Sequence, residues 1–345
     1  MHRRVNGSCL GREALRRKEL DVIMPGPNRF LSDRPPSISV VIPVYRSAPT
    51  IAELVGRLCS TLSIMTDDFE IVLVNDGSPD DSWKAITTVL PQYPQILAID
   101  LLRNYDQHNA LLCGIRAATK EVIVTMDDDL QHLPEEIPHL VAALNEEADV
   151  VYGIYRQAQF SFYRRWTSTL SKYIVSWLAG GNVDSKGGSF RAFPTRLREA
   201  FDGYHSTFVA IDVLLHWSTS RFGMVDVRHD PRKVGQSNYT LFKLWNHFIN
   251  IITAFSTRPL RVISLVGLAF TLLGFAILGY VLINYVRTRG AVPGFAFLGS
   301  MIALFSGAQM FALGVFGEYL ARMHTRLMDR PPYTINRTVR GGTSI

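Results

Sequence analysis

The most chemically distinctive segment of the sequence is a run of three carboxylates. Asp127, Asp128 and Asp129 follow the short apolar run 122–124. Carboxylates at the end of a strand lie at the crevice of an α/β sheet, where their oxygens can hold Mg²⁺ or Mn²⁺ against a diphosphate. Because side chains alternate along an extended chain, Asp127 and Asp129 are expected to face one way and Asp128 another. The run predicts a metal site at the outer pair; the alternative is a solvated acidic turn before a helix.

A second acid also stands where an apolar run ends. Asp76 follows the run 70–74 and precedes Gly77. An acid in this position can accept hydrogen bonds from a nucleobase or a ribose, and the glycine lets the backbone approach a ligand closely. Turn and helix-capping chemistry explain these residues equally well. Pro43 and Tyr45 close a third run, and the tyrosine offers an aromatic face to a base.

Short β-branched runs alternate with helix-like stretches in the first half of the chain. The runs are 38–42, 70–74, 96–99, 122–124 and 149–152, and the stretches between them are 50–62, 81–90, 104–118 and 134–144. This alternation predicts an α/β fold with a doubly wound, mostly parallel sheet covered on both faces. The ligand crevice of such a sheet lies beyond the carboxyl ends of its strands, where the acidic residues stand.

Apolar residues concentrate in the last third of the 345-residue chain. Segments 262–286 and 291–317 contain no charged residue. Each exceeds the roughly 20 residues needed to cross a bilayer. We therefore expect two C-terminal transmembrane helices, with a pair of buried helices in a soluble core as the alternative. Stretches 160–178 and 241–260 combine aromatic and basic residues, which favours helices at the membrane surface, although core-facing helices fit nearly as well.

Two spans return the chain to its starting side, so the catalytic domain and the tail share a compartment. The arginines that flank this side are Arg258, Arg261, Arg322, Arg326 and Arg330, against Arg287 and Arg289 in the loop. Positively charged residues favour the cytoplasmic side. The pattern predicts a multi-pass membrane protein whose catalytic domain faces the cytoplasm.

Composition excludes several other classes of protein. The net charge of +6 suits an anionic partner, but no basic run is interleaved with base-stacking aromatics, which argues against nucleic acid. Cys9, Cys59 and Cys113 have no Cys-x-x-Cys spacing, so neither a disulfide framework nor a zinc knuckle is expected. The first 36 residues are basic and lack the apolar stretch of a secretory signal; we expect a flexible extension, and Met24 is a second candidate start.

Three motifs together resemble a known family. Segments 41–45, 74–78 and 126–132 resemble the signature of glycosyltransferase family 2. Within it, the chain resembles the dolichol-phosphate mannose synthase and undecaprenyl-phosphate glycosyltransferase group over about 37–332. The resemblance implies a GT-A fold and an inverting transfer from a nucleotide sugar, held through a metal, to a polyprenyl phosphate. It also implies uracil as the base, undecaprenyl phosphate as the acceptor and self-association as a homo-oligomer.

The resemblance carries over to individual residues. It implies a nucleotide site that comprises Pro43, Tyr45, Asp76, Asp127 and Asp128. The metal and diphosphate site that it implies comprises Asp127, Asp129 and Gln131. The family usually reads Asp-Ala-Asp where this chain has Asp128 in the middle, and the extra carboxylate is expected to face away from the metal.

Basic and hydroxyl residues are implied around the phosphates. They are Arg156, Ser189, Arg191, Arg232, Lys233 and Ser237. Arginine suits such positions because its planar fork binds phosphate oxygens bidentately. Ordinary surface ion pairs remain the alternative for each of them. The loop at 235–238 departs from the family's Gly-Glu-Ser-Lys through Gln236 and Asn238, so Arg232 or Lys233 is expected to replace the missing lysine.

The expected catalytic residues are Asp127, Asp129, Arg191 and Asp212. The acceptor phosphate is itself the nucleophile and carries about −1.5 to −2 charges at neutral pH, so it needs little help from a base. The leaving diphosphate needs stabilisation instead, from a metal and arginines. Asp212 is the reserve candidate for a base, with a helix-surface carboxylate as the more ordinary interpretation.

The resulting division of the chain has five parts: an extension at 1–36, the catalytic domain at 37–240, a juxtamembrane region at 241–261, two spans within 262–319 and a cytoplasmic tail at 320–345. Two rival functions stay open, a processive polysaccharide synthase and a non-catalytic membrane scaffold. The chain lacks the Gln-x-x-Arg-Trp element of the synthases, and its intact acids argue against the scaffold. The sugar is open between glucose, a hexosamine and an amino-arabinose type.

Overall fold

The computed structural model describes residues 35–154, 188–206, 208–228, 258–287 and 294–342. The chain divides into two compact units. The first holds the described residues up to 228 together with 330–342, and the second holds 258–287 and 294–329. The first unit therefore contains every acidic residue that the sequence analysis singled out.

A mixed eight-stranded sheet forms the centre of the first unit. Its strands are β1 Ile38–Val44, β2 Phe69–Asn75, β3 Ile96–Leu101, β4 Val122–Thr125, β5 Val150–Ile154, β6 Arg191–Pro194, β7 Phe222–Asp226 and β8 Ile335–Arg340. Their spatial order is β7-β5-β6-β4-β1-β2-β3-β8. Strands β4, β1, β2 and β3 are parallel neighbours, β5 is parallel to β7, β6 is antiparallel to β4 and β5, and β8 is antiparallel to β3.

Helices connect and cover these strands. In the first unit they are α1 Ile51–Met65, α2 Ser82–Val89, α3 Gln107–Ala117, α4 Ile137–Ala142, α5 Glu199–Asp202 and α6 Ile211–Ser218. Short 3₁₀ turns cover Leu90–Gln92, Pro134–Glu136 and Thr195–Arg198. The second unit contains α7 Arg258–Arg287 and α8 Phe295–Leu327.

The predicted α/β fold is confirmed as a mixed-sheet fold. All five predicted strands form, and β1 is buried along its whole length, as a parallel strand covered on both faces must be. Antiparallel β6 and β8 were not predicted. Strand β6 is only four residues long, and β8 is mostly exposed and polar, so neither has the apolar run by which a buried strand is recognised.

The second unit consists of two long helices. Among the described residues, Leu260–Arg287 is the one helix long and apolar enough to cross a membrane. The rings of Phe270 and Phe305 meet edge to face with centroids 5.9 Å apart, so α7 packs against α8. A cavity of about 830 Å³ opens beside this contact; its lining includes Val262, Val266, Leu304 and Phe311. The predicted extension up to residue 34 and the surface stretches 160–178 and 241–257 lie outside the described residues.

The contact of α3 with the sheet yields a test of the core. A Cβ added at Gly114 would lie 2.4 Å from Val41 Cγ1, whereas one at Gly56 on α1 would meet nothing closer than 3.8 Å. We expect Gly114→Ala to destabilise the protein by about 1–3 kcal/mol through overpacking. The matched change Gly56→Ala should leave stability unchanged or raise it, because alanine favours helix by about 1 kcal/mol over glycine. Thermal unfolding in detergent measures both; equal midpoints would contradict the packing.

Candidate active site

The carboxyl ends of three neighbouring strands bring the acidic residues to one edge of the sheet. Strand β1 lies between β2 and β4, with Val44 opposite Asn75 and Val41 opposite Thr125. The residues that follow these strands therefore emerge side by side, and the amide of Asp76 donates to Val44 O at 2.9 Å. This is the edge where ligands bind in α/β sheets.

Asp127 is held by hydrogen bonds at both carboxylate oxygens. Gln107 Nε2 donates to Oδ1 at 2.6 Å, and Ser189 Oγ donates to Oδ2 at 2.5 Å. His132 Nδ1 lies 3.8 Å from Oδ2, and the His132 ring stacks on Phe190 with centroids 5.1 Å apart. Because the two donors come from different parts of the chain, they fix the orientation of the Asp127 carboxylate before any ligand binds.

The other two acids of the triplet have different partners. Asp128 Oδ2 accepts from the amide of Tyr45 at 3.0 Å, which ties the end of β4 to the end of β1. Burial raises the pKa of Asp128 to about 6, in part against the hydrogen bonds from Ser47 and Tyr45 that lower it. Asp129 Oδ1 accepts from the amide of Gln131 at 3.1 Å and so closes the turn. The three carboxylates thus serve three different loops.

Asp76 is almost fully buried at 2% exposure. Its Oδ1 accepts from the amide of Tyr105 at 2.7 Å, just before α3 begins. Burial raises its pKa, and the backbone hydrogen bond from Tyr105 lowers it in part. Tyr45, in contrast, is 43% exposed and can present its ring to a ligand, while Pro43 is buried within β1. A buried acid beside an exposed aromatic ring is an arrangement that can hold a nucleoside.

The loops around this edge have strained backbones. The non-glycine residues with positive φ include Arg46 at 58°, Asp106 at 84° and Leu130 at 60°, in the loops after β1, β3 and β4. Gly77, after β2, has φ 58°, and a Cβ there would lie 2.3 Å from the backbone carbon of Arg103. For residues other than glycine such conformations cost about 1–3 kcal/mol each and cluster at functional sites, whereas glycine adopts them readily. All four loops at the edge therefore carry a residue with positive φ, and three of them carry a strained one.

Arg191 and Asp212 form an ion pair in which the arginine is enclosed and the aspartate side chain is 32% exposed. Arg191 is only 1% exposed; its Nη1 donates to Asp212 Oδ1, and its Nε donates to Thr125 Oγ1 at 3.0 Å. Tyr152 OH donates to the same Asp212 oxygen at 2.9 Å. Thr125 Oγ1 in turn donates to the carbonyl of Ser189 at 2.6 Å. A continuous chain of hydrogen bonds thus leads from α6 to Ser189 and on to Asp127.

The sequence analysis missed several residues of this arrangement. Gln107, Thr125, Tyr152 and His132 were not assigned to the site. Gln107 has one local signal, because it is the first residue of α3 and its amide is capped by Asp106 Oδ1 at 2.8 Å. A helix that begins at the crevice directs its first side chains there. Thr125 and Tyr152 carry no such signal, since in sequence they are ordinary strand residues.

Four predicted phosphate ligands cannot be placed. Arg156, Arg232, Lys233 and Ser237 lie outside the described residues. Of the remaining two, Ser189 lies at the edge beside Asp127, and Arg191 is enclosed behind it.

The donor set at the edge fits a metal of the magnesium type. Within the described residues no group of three or more His, Cys, Asp or Glu side chains could hold an ion by itself. Asp127 and Asp129 offer hard carboxylate oxygens. Mg²⁺ commonly takes one or two carboxylates and completes its shell with water and substrate phosphates. A set of two acids therefore suits a metal that binds together with a diphosphate rather than one held permanently by the protein.

The sheet order and the acids at its edge define a GT-A-like α/β domain. The family model of "Glycosyl transferase family 2" matches residues 39–209. A relative from Enterobacter sp. (strain 638), named undecaprenyl-phosphate 4-deoxy-4-formamido-L-arabinose transferase, is 34% identical over 309 residues, 89% of this chain and 94% of its own. A relative of the same name from Klebsiella pneumoniae is 34% identical over 88% of this chain and 94% of its own. The chain belongs to glycosyl transferase family 2, in its polyprenyl-phosphate glycosyltransferase group.

Solved structures resemble the chain more distantly. Glucosyl-3-phosphoglycerate synthase from Mycobacterium tuberculosis is 18% identical, with a TM-score of 0.46 over 73% of this chain and 84% of its own. The mannosyltransferase PcManGT from Pyrobaculum calidifontis is 17% identical, with a TM-score of 0.43 over 93% of this chain and 96% of its own.

The hydroxyl of Thr125 joins two parts of the hydrogen-bond chain, which leads to a prediction. We expect Thr125→Val, which keeps the β-branched shape, to cost about 1–3 kcal/mol because the buried Arg191 Nε and the Ser189 carbonyl both lose their partner. Thr61→Val on α1 is the matched control, since that buried threonine takes no part in the chain. Thermal unfolding should show a clear drop for the first variant only. An equal change in both would contradict the network.

Proposed function

We propose that this protein transfers a sugar, with inversion, from a UDP-sugar to undecaprenyl phosphate at the cytoplasmic face of a bacterial inner membrane. The observation that carries the proposal is the convergence of Asp76, Tyr45 and Asp127 at one edge of the sheet, in a chain whose named relatives match it over nearly its whole length. The product would be a polyprenyl-phosphate-linked monosaccharide.

The nucleoside of the donor would bind between the ends of β1 and β2. The exposed ring of Tyr45 would stack on the base, and Asp76 would accept hydrogen bonds from the base or ribose. Asp76 Oδ1 already accepts from the amide of Tyr105, and Oδ2 is the oxygen that would take the ligand bond. Asp128 supports this pocket indirectly, because it fixes the backbone of Tyr45.

The diphosphate would lie over the end of β4. A bound Mg²⁺ or Mn²⁺ would neutralise the charge that develops on the leaving diphosphate. Asp127 and Asp129 would hold it, with Gln131 as a further oxygen donor. Gln107 and Ser189 keep the Asp127 carboxylate in one orientation, so little reorganisation is needed when the donor binds.

The acceptor combines a phosphate with a long apolar chain. We infer that α7 and α8 both cross the membrane and that the isoprenoid lies along them, where exposed leucines and phenylalanines line the apolar cavity. The phosphate would be bound by Arg156, Arg232, Lys233 and Ser237. It attacks the anomeric carbon directly and, being already ionised, needs no strong base.

Arg191 and Asp212 have a different role in this proposal from the one that the sequence suggested. Arg191 is enclosed, and its guanidinium is already occupied by Asp212 and Thr125. Asp212 Oδ1 accepts from both Arg191 and Tyr152, which leaves it poorly placed to take a substrate proton. We propose that the pair positions Ser189, and through it Asp127, rather than contacting the reacting groups.

The sugar is proposed from the relatives. Both relatives described above are named for 4-deoxy-4-formamido-L-arabinose, so a UDP-linked amino-arabinose-type sugar is the first candidate donor for this chain. Glucose and hexosamine donors are the comparison compounds.

The function is tested by incubating membranes that contain the protein with undecaprenyl phosphate and a panel of UDP-sugars. We expect a new polyprenyl-phosphate sugar, identified by mass, with one donor of the panel. Asp127→Asn and Asp129→Asn should each lower turnover at least about 10³-fold, since both remove a charge that holds the metal. The exposed Asp202→Asn is the control and should be fully active. Near-normal turnover in both triplet variants would overturn the metal site.

The roles of Asp212 can be separated by a pH profile. As a positioning residue, Asp212→Asn should lower kcat about tenfold, equivalent to about 1.4 kcal/mol, without moving the acidic limb of the rate profile. If Asp212 were the general base, its replacement would instead abolish the acidic limb of the profile. Steady-state rates from about pH 3.5 to about pH 9 distinguish the two, because the window must include the range in which carboxylates ordinarily titrate. Loss of the limb would restore Asp212 to the role of base.

A further inference from the structure

The C-terminal strand β8 is an edge strand of the sheet and is separated from β2 by β3. It pairs antiparallel with β3, and the residues on either side of it are also fixed to the unit: Leu102 N donates to Thr334 O at 3.1 Å and Gly341 N donates to Ile96 O at 2.8 Å. Strand β8 is mostly exposed and polar, so apolar burial contributes little to this attachment. The role of β8 is therefore expected to lie in its side-chain contacts.

Asp100 is the point where β8 reaches into the unit. This carboxylate is 6% exposed and accepts three side-chain hydrogen bonds. Asn336 Nδ2 and Arg337 Nε donate to Oδ2 at 2.9 and 3.0 Å, and Asn75 Nδ2 donates to Oδ1 at 2.7 Å. The register of β3 against β8 shifts between Asp100 and Leu101. Irregularities of this kind re-aim side chains near functional sites.

Asn75 connects this carboxylate to the nucleotide site. It is the last residue of β2, is 2% exposed and directly precedes Asp76. Within the described part of the chain its amide oxygen has no hydrogen-bond partner, so the contact with Asp100 is what holds the amide in place. A buried acceptor without a partner costs about 1–3 kcal/mol, which a purely structural position would be expected to avoid.

We propose that Asn336 and Arg337 are positioning residues for the donor site. They hold Asp100, Asp100 orients Asn75, and Asn75 fixes the backbone from which Asp76 reaches the nucleoside. Arg337 is itself steadied by the ring of Trp83, whose centroid lies 4.6 Å from its guanidinium carbon. The segment that follows the second long helix thereby becomes part of the nucleotide pocket's support. This inference rests on the proposed function of Asp76 in donor binding.

The burial of the Asp100 carboxylate makes its donors on β8 more important than ordinary surface groups. Arg337 is 54% exposed, and as an ion pair at the surface it would contribute little. Its partner, however, is an enclosed carboxylate, and burial of such a group costs free energy unless hydrogen-bond donors compensate for the lost water. Loss of the β8 donors leaves Asn75 as the only remaining one of the three described, so the pair Asp100–Asn75 is expected to move together.

The test compares the double variant Asn336→Leu/Arg337→Met with Thr338→Val, an exposed change in the same strand. Because the double variant could unfold locally, Arg337→Lys, which keeps a donor, is the rescue variant. The measurements use the full-length protein in detergent with Mg²⁺. In the double variant the Kd for UDP and the KM for the UDP-sugar should each rise about fivefold, which corresponds to the loss of about one hydrogen bond. The kcat should stay within about twofold, and Thr338→Val and Arg337→Lys should match the wild type.

Hydrogen exchange supplies a readout that a merely structural role would not move. The amides of Asp76 and Tyr105 should exchange faster in the double variant, while those of β1 stay protected. Faster exchange confined to β3 and β8, with unchanged UDP binding, would overturn the inference and leave β8 a structural edge. A wild-type protein that neither binds UDP nor transfers sugar would overturn the proposed function, and this inference with it.

Discussion

Concentrated negative charge at one edge of the sheet is the constraint on which the rest of this structure depends. Asp76 and the triplet at 127–129 stand at the ends of β2 and β4, the two strands that flank β1, and the carboxylates of the triplet repel one another. The protein supplies each of them with hydrogen-bond donors: backbone amides for Asp76, Asp128 and Asp129, and the side chains of Gln107 and Ser189 for Asp127. A cation and a diphosphate would complete the same balance of charge.

Two further carboxylates extend this arrangement away from the edge, the partly exposed Asp212 and the buried Asp100. Asp212 pairs with enclosed Arg191 behind β4, and Asp100 gathers donors from β8 behind β2. In both cases a carboxylate that does not contact the proposed ligand holds a series of polar groups. The series from Asp212 ends at Asp127, and the series from Asp100 ends at Asp76, and both of these acids are proposed to contact the ligand. The support of the site therefore comes from distant parts of the chain, α6 on one side and the C-terminal strand on the other. Membership of the polyprenyl-phosphate group fits a protein in which this unit is joined to long apolar helices.

Much of the fold could be predicted because its central strands are recognisable as short apolar runs in the sequence. Runs such as 40–42 and 71–74 are apolar throughout, which is what burial on both faces requires, and Asp76 marks where the second of them ends. Strand β6 is too short for a pattern, and β8 is held by pairing and by polar side chains. Hydropathy therefore gave no sign of either. The same holds for Thr125 and Tyr152, whose importance lies in partners 64 and 60 residues away.

The sequence by itself determined the apolar strands β1 to β5 and the helices between them, the acids at the crevice and the family to which these motifs point, because each depends on residues adjacent in the chain. Tertiary structure alone decided which groups those acids bind. It hydrogen-bonds Asp128 to the amide of Tyr45, and Asp127 to Gln107 and Ser189. It also pairs Arg191 with Asp212 instead of leaving the arginine at the surface. The physical reason is that a hydrogen bond needs two groups within about 3 Å in a defined direction. Only the packing of distant segments sets that distance.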